Sequence, residues 1–351
     1  LKKDKRWGSS DRKFVAETIY EVVRWKRLYA EIAEVKEPFD RDNIWRMFSV
    51  WAVLRGYPIP DWRQLEGTPE RKIKGRFDEL SKVRALKESI PDWMDEMGVK
   101  ELGEKVWSKE ITAQNQPAKV ILRVNTLKTT KTELRAILMD LDIDTDVLKD
   151  QPDALVLKER ANVFMTDAFK QGFFEVQDAN SQLVAAFLDV KPGMRVVDTC
   201  AGAGGKTLHI AALMENKGQL IAMDLYESKL KQLKIRAKRD GAFNIEYRII
   251  DTTKVQPEFI DNIRKVQAEV LESYSKIVKP GGKLVYATCS VLPSENQEQI
   301  AKFLTTDIGK EFDFIKDQKI LAHESGFDGF YMALLERKEE VVKPQKEVKE
   351  L

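Results

Sequence analysis

The stretch MRVVDTCAGAGGKTLHIA, residues 194–211, decides how this chain is read. A short run, Met194 to Val197, apolar but for Arg195, meets an aspartate, then a turn with three glycines, then an apolar segment that continues to Met214 and ends at Gly218. A short apolar run of this kind predicts a strand inside a parallel sheet. The glycines predict a tight turn onto a helix N-terminus, where backbone N–H groups face an incoming ligand. Strand and helix then alternate. QLIAMDL is a second strand, YESKLKQLKIRAKRDGA a second helix and IEYRIID a third strand. This is the grammar of a doubly wound, Rossmann-like sheet, with ligands expected at the carboxyl ends of the strands.

Three ligands compete for the turn. A phosphate-binding loop needs a glycine where Cys200 stands, so Gly205, Lys206 and Thr207 match only its second half. A dinucleotide fingerprint fits Gly202 and Gly204 but meets Thr207 at its third glycine. S-adenosyl-L-methionine tolerates a looser turn. It also calls for an acidic residue after strand 2 for the ribose hydroxyls and one after strand 3 near the adenine amine. Asp224 and Asp251 occupy those positions. Cys200, Ala201, Gly202, Ala203, Gly204, Gly205 and Lys206 are the expected loop contacts.

Ahead of this domain the texture changes twice. Residues 1–112 read as helices only; Phe14, Val15, Ile19, Val22, Val23 and Leu28 recur at helical spacing within DRKFVAETIYEVVRWKRLYAEIAE. Basic residues outnumber acidic ones over the first 27 positions, and Trp7, Trp25 and Tyr29 lie among them, a pattern open to either a solvated helix face or a phosphate-tracking surface. Residues 113–172 read as a small α/β, RRM-like module: strand KVILRVN, helix KTELRAILMDL with Thr130 or Thr132 as cap, then strands IDTDVL and ALVLK. Arg123, Asn125 and Lys128 on its sheet are either RNA contacts or ordinary surface polarity. Residues 173–340 form the Rossmann-like domain and 341–351 a charged tail.

Composition sets outer limits. The chain has 351 residues, 43% hydrophobic and 33% charged, with formal net charge +2. No run of about 18 apolar residues predicts a membrane span. Two cysteines, Cys200 and Cys289, argue against a disulfide scaffold and for a reducing, cytoplasmic setting. His209 and His323 lack metal-ligand spacing, so no metal is expected. A monomer is expected.

Specific motifs connect these pieces to a family. DTCAGAGGKT resembles the D-x-C-A-A-P-G-G-K-T loop of the Sun/RsmB-type RNA cytosine-5 methyltransferases, with Gly202 and Ala203 in place of the usual Ala and Pro. FEVQDANSQLVA resembles the helix that leads into their catalytic domain. KPGGKLVYATCSVLPSENQEQI is similar to their strand bearing the catalytic T-C-S, and HESGFDGFYMALLERK to their closing strands. The likeness runs from about residue 120 to 338. The helical N-terminal region resembles, less distinctively, the NusB-like RNA-binding domain of some members. The resemblance implies S-adenosyl-L-methionine as methyl donor, RNA as partner (small-subunit ribosomal RNA before tRNA) and Cys289 as nucleophile. Cys200 then packs the cofactor site through its backbone. Rival readings are a catalytically silent RNA-binding or ribosome-assembly factor, and a methyltransferase of DNA or small molecules.

One piece has no match. After Asp251 only TTKVQ precedes the long amphipathic run that starts at Pro257. Five residues span at most roughly 18 Å, too little for a helix, a fourth strand and their crossover. The family's D-A-P-C-S-G motif follows that strand. A gap of a few dozen residues is therefore expected between about Thr253 and Gln256, with an incomplete sheet beside strand 1.

Overall fold

The computed structural model describes residues 7–250 and 261–339, and the chain divides into two units, residues 1–115 and 116–351. The first unit is helical throughout: α1 (Ser9–Arg24), α2 (Lys26–Ala33), α3 (Arg41–Leu54), α4 (Glu70–Leu80), α5 (Arg84–Lys87), α6 (Asp92–Leu102) and α7 (Glu104–Gln114). Its core gathers Leu28, Tyr29, Ile32, Val50, Trp51 and Ile73. The run expected as one helix is broken at Trp25 into α1 and α2. Only the α2 half is buried: Leu28 is 3% exposed, whereas Phe14, Ile19 and Val23 are 45%, 56% and 65% exposed. Helical spacing places residues on one face but does not say whether that face is covered.

The second unit opens with β1 (Ile121–Val124), α8 (Lys131–Met139), β2 (Thr145–Val147), β3 (Ala154–Leu157), α9 (Asp167–Lys170) and β4 (Phe174–Val176). Thr130 caps α8 by accepting from Glu133 N at 3.2 Å, while Glu133 Oε2 accepts from Thr130 N at 2.9 Å. The four strands form an antiparallel sheet in the order β2-β3-β1-β4. Its fourth strand lies beyond residue 172, in the stretch read from sequence as part of the next domain.

Next come α10 (Ala179–Phe187), β5 (Arg195–Asp198), α11 (Gly205–Leu213), β6 (Gln219–Asp224), α12 (Glu227–Asp240) and β7 (Ile245–Ile249). The strands pair in parallel, β5-β6-β7. Beyond the undescribed residues lie α13 (Asp261–Ser275), β8 (Lys283–Thr288), α14 (Gln297–Thr305), β9 (Phe312–Ile320), α15 (Ala322–Ser325) and β10 (Phe330–Arg337), whose strands form an antiparallel sheet, β8-β10-β9. Helix α10 joins the two sheets: Ala185 packs in the core of the parallel sheet, and Val184 packs on Phe330 and Met332 of β10.

Among the described residues the two sheets do not hydrogen-bond to each other, and β5 has β6 as its single partner. The contrast between neighbours is clear in burial. Leu220, Ile221 and Ala222 of β6 are 0%, 3% and 0% exposed. Val197 of β5 and Leu284 to Thr288 of β8 are only half-buried. Strand β5, expected in the middle of the sheet, is an edge here. Among the described residues the strands of the Rossmann-like domain lie in two separate sheets. The expected gap near Thr253, the site residue Asp251 and the helix start at Pro257 lie outside the described residues.

Candidate active site

The glycine loop runs from Thr199 at the end of β5 to Gly204, which caps α11. Gly204 is required there. It takes φ +96°, and a Cβ would come within 2.0 Å of Leu233 Cδ1. Gly202, φ +54°, differs: a Cβ on it would meet nothing within 4 Å, so the loop presents an open backbone face.

Two carboxylates shape this loop. Asp224, at the end of β6, accepts from Gly202 N at 2.8 Å and from Tyr226 N at 2.9 Å. A carboxylate offers about four acceptor sites, so the ribose role expected from sequence remains open to it. Asp198 accepts from Thr207 Oγ1 at 2.7 Å and from Cys200 N at 3.2 Å, tying strand, loop and helix together. Burial pushes the Asp198 carboxyl above its ordinary range, against the pull of those bonds. Sequence reading passed over Asp198, although it stands in the same D-T-C-A-G-A-G-G-K-T stretch.

Cys289 follows β8 directly and is exposed. A short-range clamp surrounds it. Thr288 Oγ1 donates to Asn296 Oδ1, and Asn296 Nδ2 donates to the Ser290 carbonyl at 2.9 Å. One fully buried amide therefore bridges the residues on either side of the thiol. Glu295 adds a second tie: its carboxylate accepts from Ser290 Oγ and from Gln267 Nε2 of α13, both at 2.9 Å. The sequence does not mark Glu295 and Asn296 as partners of the thiol turn, because their bonding depends on turn geometry rather than on periodicity.

Strand register connects thiol and loop. Thr288, the residue before Cys289, pairs with Tyr331 near the start of β10. Lys206 Nζ lies over the Phe330 ring, 5.2 Å from its centroid. The loop lysine and the strand that ends before Cys289 thus meet neighbouring residues of β10, Phe330 and Tyr331. Cys200 is also exposed, but loss of water around its thiol and the neighbouring Asp198 carboxylate push it above the usual thiol range.

Arg123 and Asn125, open from sequence to either RNA contact or surface polarity, are buried instead, whereas Lys128 stays exposed. Arg123 and Asn125 are 2% and 4% exposed, and both bond to the Rossmann-like part of the unit. Arg123 Nη1 donates to the Gly205 carbonyl, and Asn125 Nδ2 donates to the Asp240 carbonyl at 2.7 Å. Lys128 Nζ donates to the carbonyls of Gln171 and Arg239 at 2.7 and 2.6 Å. Strand alternation gives two faces but not which one another layer will cover. Tyr29 is likewise in the core, and burial raises its phenol to about 12. His209 is buried against Asp153 at 3.5 Å, and burial lowers its pKa. No grouping of metal-binding side chains occurs among the described residues.

The 16S rRNA methyltransferase RsmB/F family profile matches residues 185–259 and 248–336, and an RsmF/B-like ferredoxin-like domain matches residues 90–164. A probable ribosomal RNA small subunit methyltransferase B from Synechocystis is 30% identical over 303 residues, covering 71% of this chain and 67% of that protein. The chain belongs to the RsmB/F methyltransferase family. The Vibrio cholerae ribosomal RNA small subunit methyltransferase B is also 30% identical, over 82% of this chain and 71% of its own length. Among solved structures, PH0851 matches with a TM-score of 0.79 and 25% identity, covering 96% of this chain and 92% of that one. NSun6 from Pyrococcus horikoshii with SFG shares the fold, with a TM-score of 0.65 and 18% identity over 71% of this chain and 99% of its own. The RsmB/F profile matches in two pieces, and the junction falls where the sequence lacks room for a fourth strand. No helix among the described residues is long and apolar enough to cross a membrane.

Proposed function

We propose that this RsmB/F chain methylates carbon 5 of a cytosine in RNA, in small-subunit ribosomal RNA before tRNA, with S-adenosyl-L-methionine as donor. The observation that carries the reading is the exposed Cys289 at the end of β8, in a turn clamped by Asn296 and Glu295. The glycine loop fits the donor: its open face is at Gly202, and Asp224 stands beside it. Asp251, whose surroundings are not described, is assigned to the adenine from its place after strand 3.

Carbon 5 of cytosine is a weak nucleophile. The Cys289 thiolate adds to carbon 6, forming an S–C6 bond and moving the ring's π electrons onto carbon 5. The donor supplies an electrophilic methyl group on a sulfonium. Carbon 5, once methylated, loses its proton, and the electron pair returns to expel the Cys289 thiolate. A base reached in this way must leave its stack. Asn296 and Glu295 hold the turn that aims the thiol.

The test is methyl transfer from labelled donor to total RNA lacking the modification, followed by nucleoside analysis. Labelled 5-methylcytosine supports the proposal; RNA binding without transfer refutes it. That second outcome has two observations in its favour. Among the described residues β5 and β8 are edge strands, and the sequence has no cysteine besides Cys200 and Cys289 to match the one in the family's D-A-P-C-S-G motif. A silent RNA-binding or assembly factor would show these features. A missing segment near Thr253 would show them too, and peptide mapping of the natural protein across residues 248–261 separates the two.

A further inference from the structure

Two carbonyls of the glycine loop end on arginines from distant parts of the chain. Arg123 of β1 donates from Nη1 to the Gly205 carbonyl and to Gln177 Oε1. Arg236 of α12 donates from Nη1 to the Ala203 carbonyl at 2.8 Å. Its Nε and Nη2 form a fork on Glu175 of β4, at 3.1 and 2.7 Å. Arg239, one turn on, donates to the same Glu175. Arg123 and Glu175 are 2% and 3% exposed. The small α/β sheet thus contributes a charged layer that meets the loop through its carbonyls.

A buried ionic layer is a poor way to add stability, since apolar side chains of similar volume often do as well or better. What a guanidinium adds is direction, because its planar fork fixes the acceptors it touches. With the carbonyls of Ala203 and Gly205 held, the Ala203–Gly204 and Gly205–Lys206 peptide planes are held as well. Asp224 grips the same loop by the N–H of Gly202.

We infer that Arg123, from the small α/β module, and Arg236 of α12, held by Glu175 of that module, are positioning residues that lock the cofactor loop, which makes the module part of the cofactor site. The inference rests on the reading of the glycine loop as the S-adenosyl-L-methionine site. Its consequence is that cofactor affinity depends on side chains of β1 and β4, which reach the donor only through backbone.

The full chain carries the test, with Arg236→Gln, Arg236→Lys and Arg123→Met. Calorimetry with S-adenosylhomocysteine reads cofactor affinity, and hydrogen exchange of the peptide spanning 199–207 reads loop order. Arg236→Gln is expected to weaken cofactor binding about tenfold, the loss of a charge-assisted bond, with faster loop exchange and unchanged RNA affinity. Arg236→Lys should recover part of the loss. Arg236 is only partly buried, so its variants decide the matter even if Arg123→Met does not fold. Affinity within about twofold of wild type together with unchanged exchange overturns the inference. So does an equal loss of RNA and cofactor affinity with a lowered melting temperature, which marks a general packing role. A wild-type chain that binds no cofactor refutes the proposed function, and loop exchange in Arg236→Gln then decides the clamp by itself.

Discussion

The glycine loop and the Cys289 turn both follow a strand and both carry the proposed chemistry, yet they are held in opposite ways. The Cys289 turn is closed by its own neighbours: Thr288 reaches Asn296 eight residues on, and Asn296 reaches back six to Ser290. The glycine loop is closed from far away: Gly205 is held by Arg123 at a separation of 82 residues, and Ala203 by Arg236 at 33. A turn built from local bonds can form as soon as its strand does. A loop held by distant charges forms only when the small sheet and α12 have docked. The loop that takes a diffusible donor is thereby tied to the folding of the whole second unit.

The comparison breaks most sharply at the thiol. Cys289→Ala is expected to abolish methyl transfer while cofactor affinity stays near wild type, as calorimetry beside a transfer assay would show. RNA carrying 5-fluorocytosine should trap a covalent adduct on Cys289 in wild type and in Cys200→Ala; an adduct mapped to Cys200 reverses the assignment.

Next in size is the clamp itself. Asn296→Ala removes one buried amide from both flanks of the thiol. Transfer should slow by roughly 10- to 100-fold, equivalent to about 1.4–2.7 kcal/mol of barrier, with donor affinity unchanged. A full rate in a folded variant would mean that the turn needs no such tie.

Asp224→Ala tests the other region. Cofactor binding should weaken by about 1–3 kcal/mol, the range for charge-assisted bonds, with the thiol adduct still formed at saturating donor. Unchanged affinity by calorimetry would exclude the ribose role.

The smallest expected effect sharpens the long-range side. Burial, then the Glu175 carboxylate, raise Asp240 to about 7, while Arg239 opposes the shift. Glu175 itself lies below its usual range: its burial is outweighed by bonds from Arg236, with Arg239 adding to the pull. The other charge facing this pair is Arg123, whose own pKa burial lowers to about 10. An unfolded aspartate titrates near 4, so folding takes up a proton between about pH 4 and 7. Asp240's contribution to stability is therefore full below about pH 4 and lost as pH rises through about 7. Asp240→Asn should flatten that slope, gaining on wild type by on the order of 1–2 kcal/mol between pH 5 and 8 in denaturant melts. Parallel curves for the two proteins would remove Asp240 from this account.

The local turn was the more legible of the two. Cys289 at the end of an apolar strand, and the glycine turn after another, stand out because strand period, turn residues and the family's T-C-S are all short-range signals. The clamp around Cys289 was in view but unmarked, since hydrogen-bond partners within a turn depend on dihedral angles that residue types do not specify. Arg123 and Asn125 were the instructive misreading. Their alternation placed them on a sheet face, and polarity pointed to RNA, but that face is covered by the rest of the same unit.

By itself the sequence determined the order of strands and helices, the glycine loop with Asp224 after the next strand, and the thiol at the end of β8, because each is written in residues close together along the chain. Only the tertiary structure decided that Arg123 and Asn125 are buried, that Lys206 lies over Phe330 of β10, and that arginines of β1 and α12 hold the cofactor loop. Those outcomes depend on which surfaces meet, and burial free energy scales with the area that two elements exclude from water together, a property of neither segment alone.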